Sequence, residues 1–264
     1  ERCVSRTGTG SMYVMEIEHP RFRDYALGSL RGGWCTGTVA LMNRIRTEMG
    51  IAGLTQVYAA TEGGGAAGDC GDPWEVRAAT CGRPVSGTEF RIVDPEGRER
   101  PPGVAGEILL RGWWRMDGYY NQPEATARTI DADGFIHTGD LGVLDRQGYL
   151  HFSGRIKDML RVGGENVSAE EVEEVLLQHP GVHQVAVIGA PDARLQEVVM
   201  AIVQPREGFA LDADQIVEFC ARRMANFRVP RHVRFVDAWP MTGSGKIQKH
   251  VLRAEFLMDS PDPG

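Results

Sequence analysis

The sequence predicts an α/β fold in two parts. Three observations predict it. At 264 residues the chain has room for one to two domains. Residues 37–110 mix a helical stretch with short strand-like runs cut by glycine and proline turns. After about residue 157 the texture becomes a regular β-α-β-β-α-β succession, the signature of a small α+β domain. The boundary falls near Arg155–Asp158, giving parts of 1–156 and 158–264.

In the first part, Val39, Leu41, Met42, Ile45 and Met49 line roughly one side of a helix over 37–50, with Gly50 as its stop. Residues 54–60 read as a short buried strand. Residues 70–110 read as β-structure, with Glu89–Val93 and Gly106–Arg111 as strands and Asp94–Gly97 as a turn. Gly148–Gly154 carries a further hairpin signal. In the second part, Ser168 followed by Glu171 is a capping-box pattern opening a helix to about Gln178, stopped by Pro180-Gly181. Strands over 182–188 and 198–204, a helix over 212–224 and a strand over 232–236 complete it.

Composition removes several function classes. Lys and Arg number 29 against 36 Asp and Glu, a net charge of −7. That balance leaves no basic excess to neutralise phosphates, which argues against a general nucleic-acid partner. The longest apolar run, Val198–Val203, is too short to cross a bilayer. Five scattered cysteines, without metal or redox spacing, suit thiols in a reducing cytoplasm. There is no signal-peptide core and no starting Met.

Several motif matches fail on context. Gly63–Gly68 fits GxGxxG after a strand, but Asp69-Cys70-Gly71-Asp72-Pro73 follows where a dinucleotide site needs a helix. Thr242–Lys246 lacks the first glycine and the final Ser/Thr of a Walker loop. Ser5–Ser11 lacks the lysine of such loops and reads as a turn.

Five polar motifs remain, in fixed order. They are Tyr58-Ala59-Ala60-Thr61-Glu62, then Gly134 to Gly142 around Asp140 in a glycine-flanked turn, then Arg155-Ile156-Lys157-Asp158, then Gly163-Gly164-Glu165-Asn166, then Thr242-Gly243-Ser244-Gly245-Lys246. Together they closely resemble the adenylate-forming superfamily of acyl-CoA synthetases, luciferases and peptide-synthetase adenylation domains. The resemblance runs from Tyr13 to Leu252 and is nearest to the fatty or short- and medium-chain acyl-CoA ligases.

The resemblance implies an AMP-forming acid–thiol ligase that uses ATP, Mg²⁺ and CoA on a small carboxylic acid. It implies Glu62 as the carboxylate holding Mg²⁺ and Thr61 as the hydroxyl on the α-phosphate. Tyr58 would stack on adenine, and Gly37 and Thr38 would line the adenine pocket. Asp140 and Arg155 would meet the ribose. Lys246 would bridge the reacting carboxylate and α-phosphate, Lys157 would be the hinge, and Gly163-Gly164 would leave passage for the pantetheine arm. The family's Ser/Thr/Gly-rich phosphate loop is missing, so the chain reads as the C-terminal half of such a ligase, with a partial large domain. A truncated form, half of a split enzyme completed by another chain, and a non-catalytic nucleotide- or CoA-binding module are the alternatives, beside a peptide-synthetase adenylation domain. Ala59, where the family has Gly, adds a methyl near the nucleotide.

Overall fold

The computed structural model describes residues 2–243 and 247–258. The chain divides into two compact units, Glu1–Ser153 and Gly154–Gly264.

In the first unit, β1 (Ser5–Thr9) runs directly into α1 (Gly10–Ile17), so the Ser5–Ser11 run expected as a turn is a strand and helix start. Next come β2 (Gly32–Thr36), α2 (Val39–Met49), β3 (Gly53–Ala60), β4 (Gly63–Ala67), α3 (Trp74–Ala79) and β5 (Arg83–Pro84). The helix α3 interrupts the stretch expected to be wholly β-structure. It is six residues long and opens on Pro73, too short to show a helical period.

Helix α2 forms where expected because both ends are specified. Thr38 Oγ1 accepts the Leu41 N–H at 3.2 Å, and Gly50 adopts φ 72°, which a glycine takes without strain. Strands β1, β2 and β3 are parallel, and β4 and β5 continue the sheet antiparallel. Tyr13, Met42, Ile45, Ile51 and Leu54 are fully buried in the core that α1, α2 and this sheet share.

The remaining strands of this unit are β6 (Thr88–Val93), β7 (Gly106–Gly112), β8 (Ile136–Leu144) and β9 (Leu150–Arg155), whose last two residues belong to the second unit. They make a four-stranded sheet in that order, and α4 (Pro123–Thr129) precedes β8. Phe90, Ile108, Leu110, Ile136 and Leu150 pack with Tyr58 and Ala66 of the first sheet in one core. Two sheets therefore converge on Tyr58.

The second unit begins with β10 (Met159–Val162) and β11 (Glu165–Ser168), then α5 (Ala169–Leu177), β12 (Val182–Asp192), β13 (Gln196–Pro205), α6 (Ala213–Ala221), β14 (His232–Phe235) and α7 (Lys249–Met258). Strand β13 pairs antiparallel with β12 and, at Gln196, with β10, and parallel with β14. Its apolar run is covered on both faces. Val199, Ala201 and Val203 face the core of α5 and α6, while Val198, Met200 and Ile202 face Leu252 of α7. Continuous hydrophobicity is what a strand buried on both sides requires.

Ser168 caps α5 by accepting the Glu171 N–H, and the reciprocal capping box appears instead at Asp212 and Gln215 of α6. Gly163 and Gly164, with φ of 60° and 90°, form the two-residue turn joining β10 to β11. Positive φ at both positions is the requirement of a tight hairpin.

Among the described residues, no helix is long and apolar enough to cross a membrane.

Candidate nucleotide site

The parallel register of β1, β2 and β3 brings Thr9, Thr36 and Ala60 to one edge of the first sheet. Gly37-Thr38 and Thr61-Glu62 follow two of those strand ends directly. This is the edge at which open α/β sheets take their ligands. Gly37 N–H points to Gln56 Oε1 at 3.4 Å, and Gln56 Nε2 donates to Ala78 O at 2.5 Å, so the Gly37 backbone is held from beneath. The Thr38 hydroxyl oxygen is engaged in capping α2.

Tyr58 and Asp140 meet. The Tyr58 hydroxyl donates to Asp140 Oδ2 at 2.7 Å, and both residues are buried, at 7% and 5% exposure. Burial pushes the Tyr58 phenol well above its ordinary range, a hydrogen bond with Thr138 opposes that rise and the Asp140 carboxylate adds to it, so the phenol stays a donor. The Tyr58 ring lies between Phe90 and Phe152, with centroids 6.2 and 6.0 Å away. Asp140 does not occupy the turn expected of it. It lies within β8, and the neighbouring Gly139, at φ 66°, serves an irregularity in that strand.

Glu62 is half-buried and Thr61 exposed at the turn between β3 and β4. Tyr119, which sequence reasoning missed, donates its hydroxyl to Glu62 Oε1 at 2.6 Å. Met116 N–H also donates to Glu62 O at 2.8 Å. The bond to Glu62 raises the Tyr119 phenol above its usual range. The glycines after Glu62 have a packing reason. A Cβ on Gly63 would lie 2.3 Å from Trp114 Cζ3, so the ring of Trp114 closes onto bare backbone there.

Cation chemistry fits this turn in one particular way. Among the described residues no group of three or more His, Cys, Asp or Glu side chains could hold a metal ion. The Glu62 carboxylate would suit Mg²⁺ that arrives with phosphates, since that ion keeps few protein ligands.

The other expected site residues lie in the second unit. Arg155, Lys157, Gly163 and Gly164 are all exposed, Lys157 in a single 3₁₀ turn and the two glycines at their hairpin tip. Lys246 lies outside the described residues. The stem of its segment is defined by a bridge between Met241 and Ile247 and by Gln248 N–H donating to Pro240 O at 2.8 Å.

Comparison with known proteins decides the family. The AMP-binding enzyme model matches residues 1–120, and the AMP-binding enzyme C-terminal domain matches residues 171–246. The chain belongs to the AMP-binding enzyme family. It is 40% identical over 261 residues to a feruloyl-CoA synthase of Amycolatopsis sp., covering 97% of this chain and 52% of that protein. It is 36% identical over 255 residues to a mitochondrial medium-chain acyl-CoA ligase of Mus musculus, covering 94% and 42%. Among solved structures, an anthranilate CoA ligase in complex with anthranoyl-AMP superposes with a TM-score of 0.85 at 31% identity, over 96% of this chain and 49% of that one. The chain spans about half the length of the curated relatives it matches. The expected adenylate-forming fold is shown by this likeness.

Proposed function

We propose that this member of the AMP-binding enzyme family supplies the adenosine-binding residues and the C-terminal domain of an AMP-forming carboxylic acid–CoA ligase. One observation carries the reading. A buried tyrosine–aspartate pair, Tyr58 and Asp140, lies in the same unit as a Thr61-Glu62 turn at the carboxyl edge of the parallel strands. The relatives named above, whose printed names are CoA synthases and ligases, support the acid–thiol chemistry.

The reaction has two halves. A carboxylate oxygen attacks the α-phosphorus of ATP, and the bond to pyrophosphate breaks. The CoA sulfur then attacks the acyl carbon, the acyl–phosphate C–O bond breaks, and AMP leaves. In this reading Asp140 accepts hydrogen bonds from the ribose hydroxyls, a charged acceptor giving the stronger bond. Arg155 is a second ribose contact. Tyr58 presents its ring to adenine beside Gly37 and Thr38. Thr61 contacts the α-phosphate, and Glu62 would hold Mg²⁺, which neutralises phosphate charge when bound. Lys246 supplies a compact cation for the charge that gathers as carboxylate and phosphate meet. Lys157 is the hinge of a domain rotation between half-reactions, and Gly163-Gly164 admits the pantetheine arm. The substrate is a small carboxylic acid of fatty or aromatic type. All five cysteines are free, which accords with a reducing compartment, and we place the protein in the cytoplasm. A missing N-terminal half, on the same or another chain, would bring the phosphate loop.

The test is calorimetric titration of the intact protein with AMP, together with carboxylate-dependent exchange of labelled pyrophosphate into ATP. Asp140→Ala should weaken AMP binding by about 10- to 100-fold, the range for losing hydrogen bonds to a charged group. AMP affinity unchanged in that variant, or no exchange with any acid of a broad panel once the half that carries the phosphate loop is supplied, overturns the reading.

A further inference from the structure

Asp140 is aimed by an interruption in its own strand. In the pairing of β7 with β8, Glu107 faces Leu141 and Leu109 faces His137. Thr138, Gly139 and Asp140 therefore stand opposite the single residue Ile108. Such a bulge re-aims side chains and leaves backbone groups without ladder partners. Here side chains take those places. Thr138 Oγ1 donates to Ile108 O at 2.7 Å and accepts the Asp140 N–H at 3.1 Å. The Gly139 N–H donates to Glu107 Oε1 at 3.1 Å. The other carboxylate oxygen, Glu107 Oε2, lies 3.1 Å from His137 Nδ1, and His137 Nε2 lies 3.9 Å from Asp131. The Glu107 side chain is only 21% exposed.

We propose that Glu107 is a positioning residue for nucleotide recognition: by holding the Gly139 amide and the His137 ring, it fixes the β8 bulge that directs Asp140 toward the ribose. The inference rests on the reading of Asp140 as the ribose acceptor. Glu107 touches no ligand in it. Its carboxylate is the acceptor on which a left-handed Gly139 depends, and Gly139 is the residue that turns Asp140 inward against Tyr58. Thr138 holds the same bulge from the other side.

The experiment compares the affinity of the intact protein for AMP and for 2′,3′-dideoxy-AMP, which lacks both hydroxyls. The wild-type protein should prefer AMP by about tenfold or more, as hydrogen bonds to a carboxylate imply. Glu107→Leu should reduce that preference to within about threefold while leaving dideoxy-AMP affinity unchanged. Glu107→Gln keeps an acceptor for the Gly139 N–H and should keep the preference. Thr138→Val should lower it in the same direction, and serves if Glu107→Leu does not fold. A preference intact in both Glu107→Leu and Thr138→Val overturns the proposal. So does an equal loss for both nucleotides, which marks a merely structural role, and so does failure of Glu107→Gln to rescue. Asp140→Ala is the separate arm. If it retains the preference, the ribose reading itself is wrong and the proposal falls with it. If it abolishes the preference while Glu107→Leu does not, only the role of Glu107 is refuted.

Discussion

Replacing Lys249 by methionine is expected to destabilise the second unit by about 3 kcal/mol, with a penalty that grows as pH rises. Lys249 Nζ lies 2.7 Å from Glu173 Oε1, and the two side chains are 19% and 17% exposed. The same oxygen accepts the Val187 N–H of β12 at 2.6 Å, so α5, α7 and the sheet meet at one carboxylate. Burial is the leading influence on Glu173 and raises its pKa, Lys249 opposes that rise, and Asp158 adds to it. A carboxyl whose folded-state pKa is raised favours folding in its protonated form. That contribution is full below the ordinary glutamate range and is lost as pH rises through the raised folded value. Without Lys249 the pKa climbs further, so the variant loses most at neutral and alkaline pH and least in acid. Trp239, the one tryptophan after residue 153, donates to Gln204 Oε1 at 2.8 Å and reports on this unit. Urea unfolding followed by fluorotryptophan NMR at Trp239 checks the expectation. A penalty equal at pH 5 and pH 8 refutes it. Glu173→Gln combined with Lys249→Met should recover most of the loss, because the uncompensated charge goes while the amide oxygen still accepts from Val187.

If the proposed ligase reading holds, Lys246→Ala is expected to lower the adenylation rate of the enzyme, with its phosphate-loop half supplied, by about 10²- to 10³-fold, the usual cost of removing one preorganised group from a developing charge. AMP affinity should fall much less than the adenylation rate, since the product keeps the α-phosphate but lacks the reacting carboxylate that this lysine would also balance. Pyrophosphate exchange measures the first quantity and calorimetry the second. Exchange retained within tenfold removes Lys246 from the chemistry. A parallel loss of AMP affinity makes it a binding residue instead.

What could be read from the sequence was local. Gly50 announces the end of α2 because a left-handed stop is a property of a single residue, whereas the Thr38 cap that opens the helix came only with the structure. The unbroken apolar run from Val198 to Val203 announces a strand, yet only the structure shows α7 covering its second face. Asp140 illustrates the limit. Glycines at 139 and 142 look like a turn, but whether they make a turn or a bulge depends on the register with β7, which no short window contains. Tyr58 and Asp140 are 82 residues apart and come from different sheets. The five motifs put both residues in the proposed site through family resemblance, but the bond between them is a tertiary fact. Tyr119 and Glu107 went unnoticed for the same reason: each acts on a residue far along the chain, and neither stands in a motif with chemistry of its own.

The convergence of two sheets on Tyr58 and Asp140 has a thermodynamic corollary. A molecule gripping that pair would act as a rivet between them, and its binding free energy would appear as resistance to melting. At a hundredfold excess over its dissociation constant, a compound would add about 2.7 kcal/mol to the unfolding free energy of the first unit. Heat denaturation scans over a nucleoside library would therefore rank compounds by fit without any turnover.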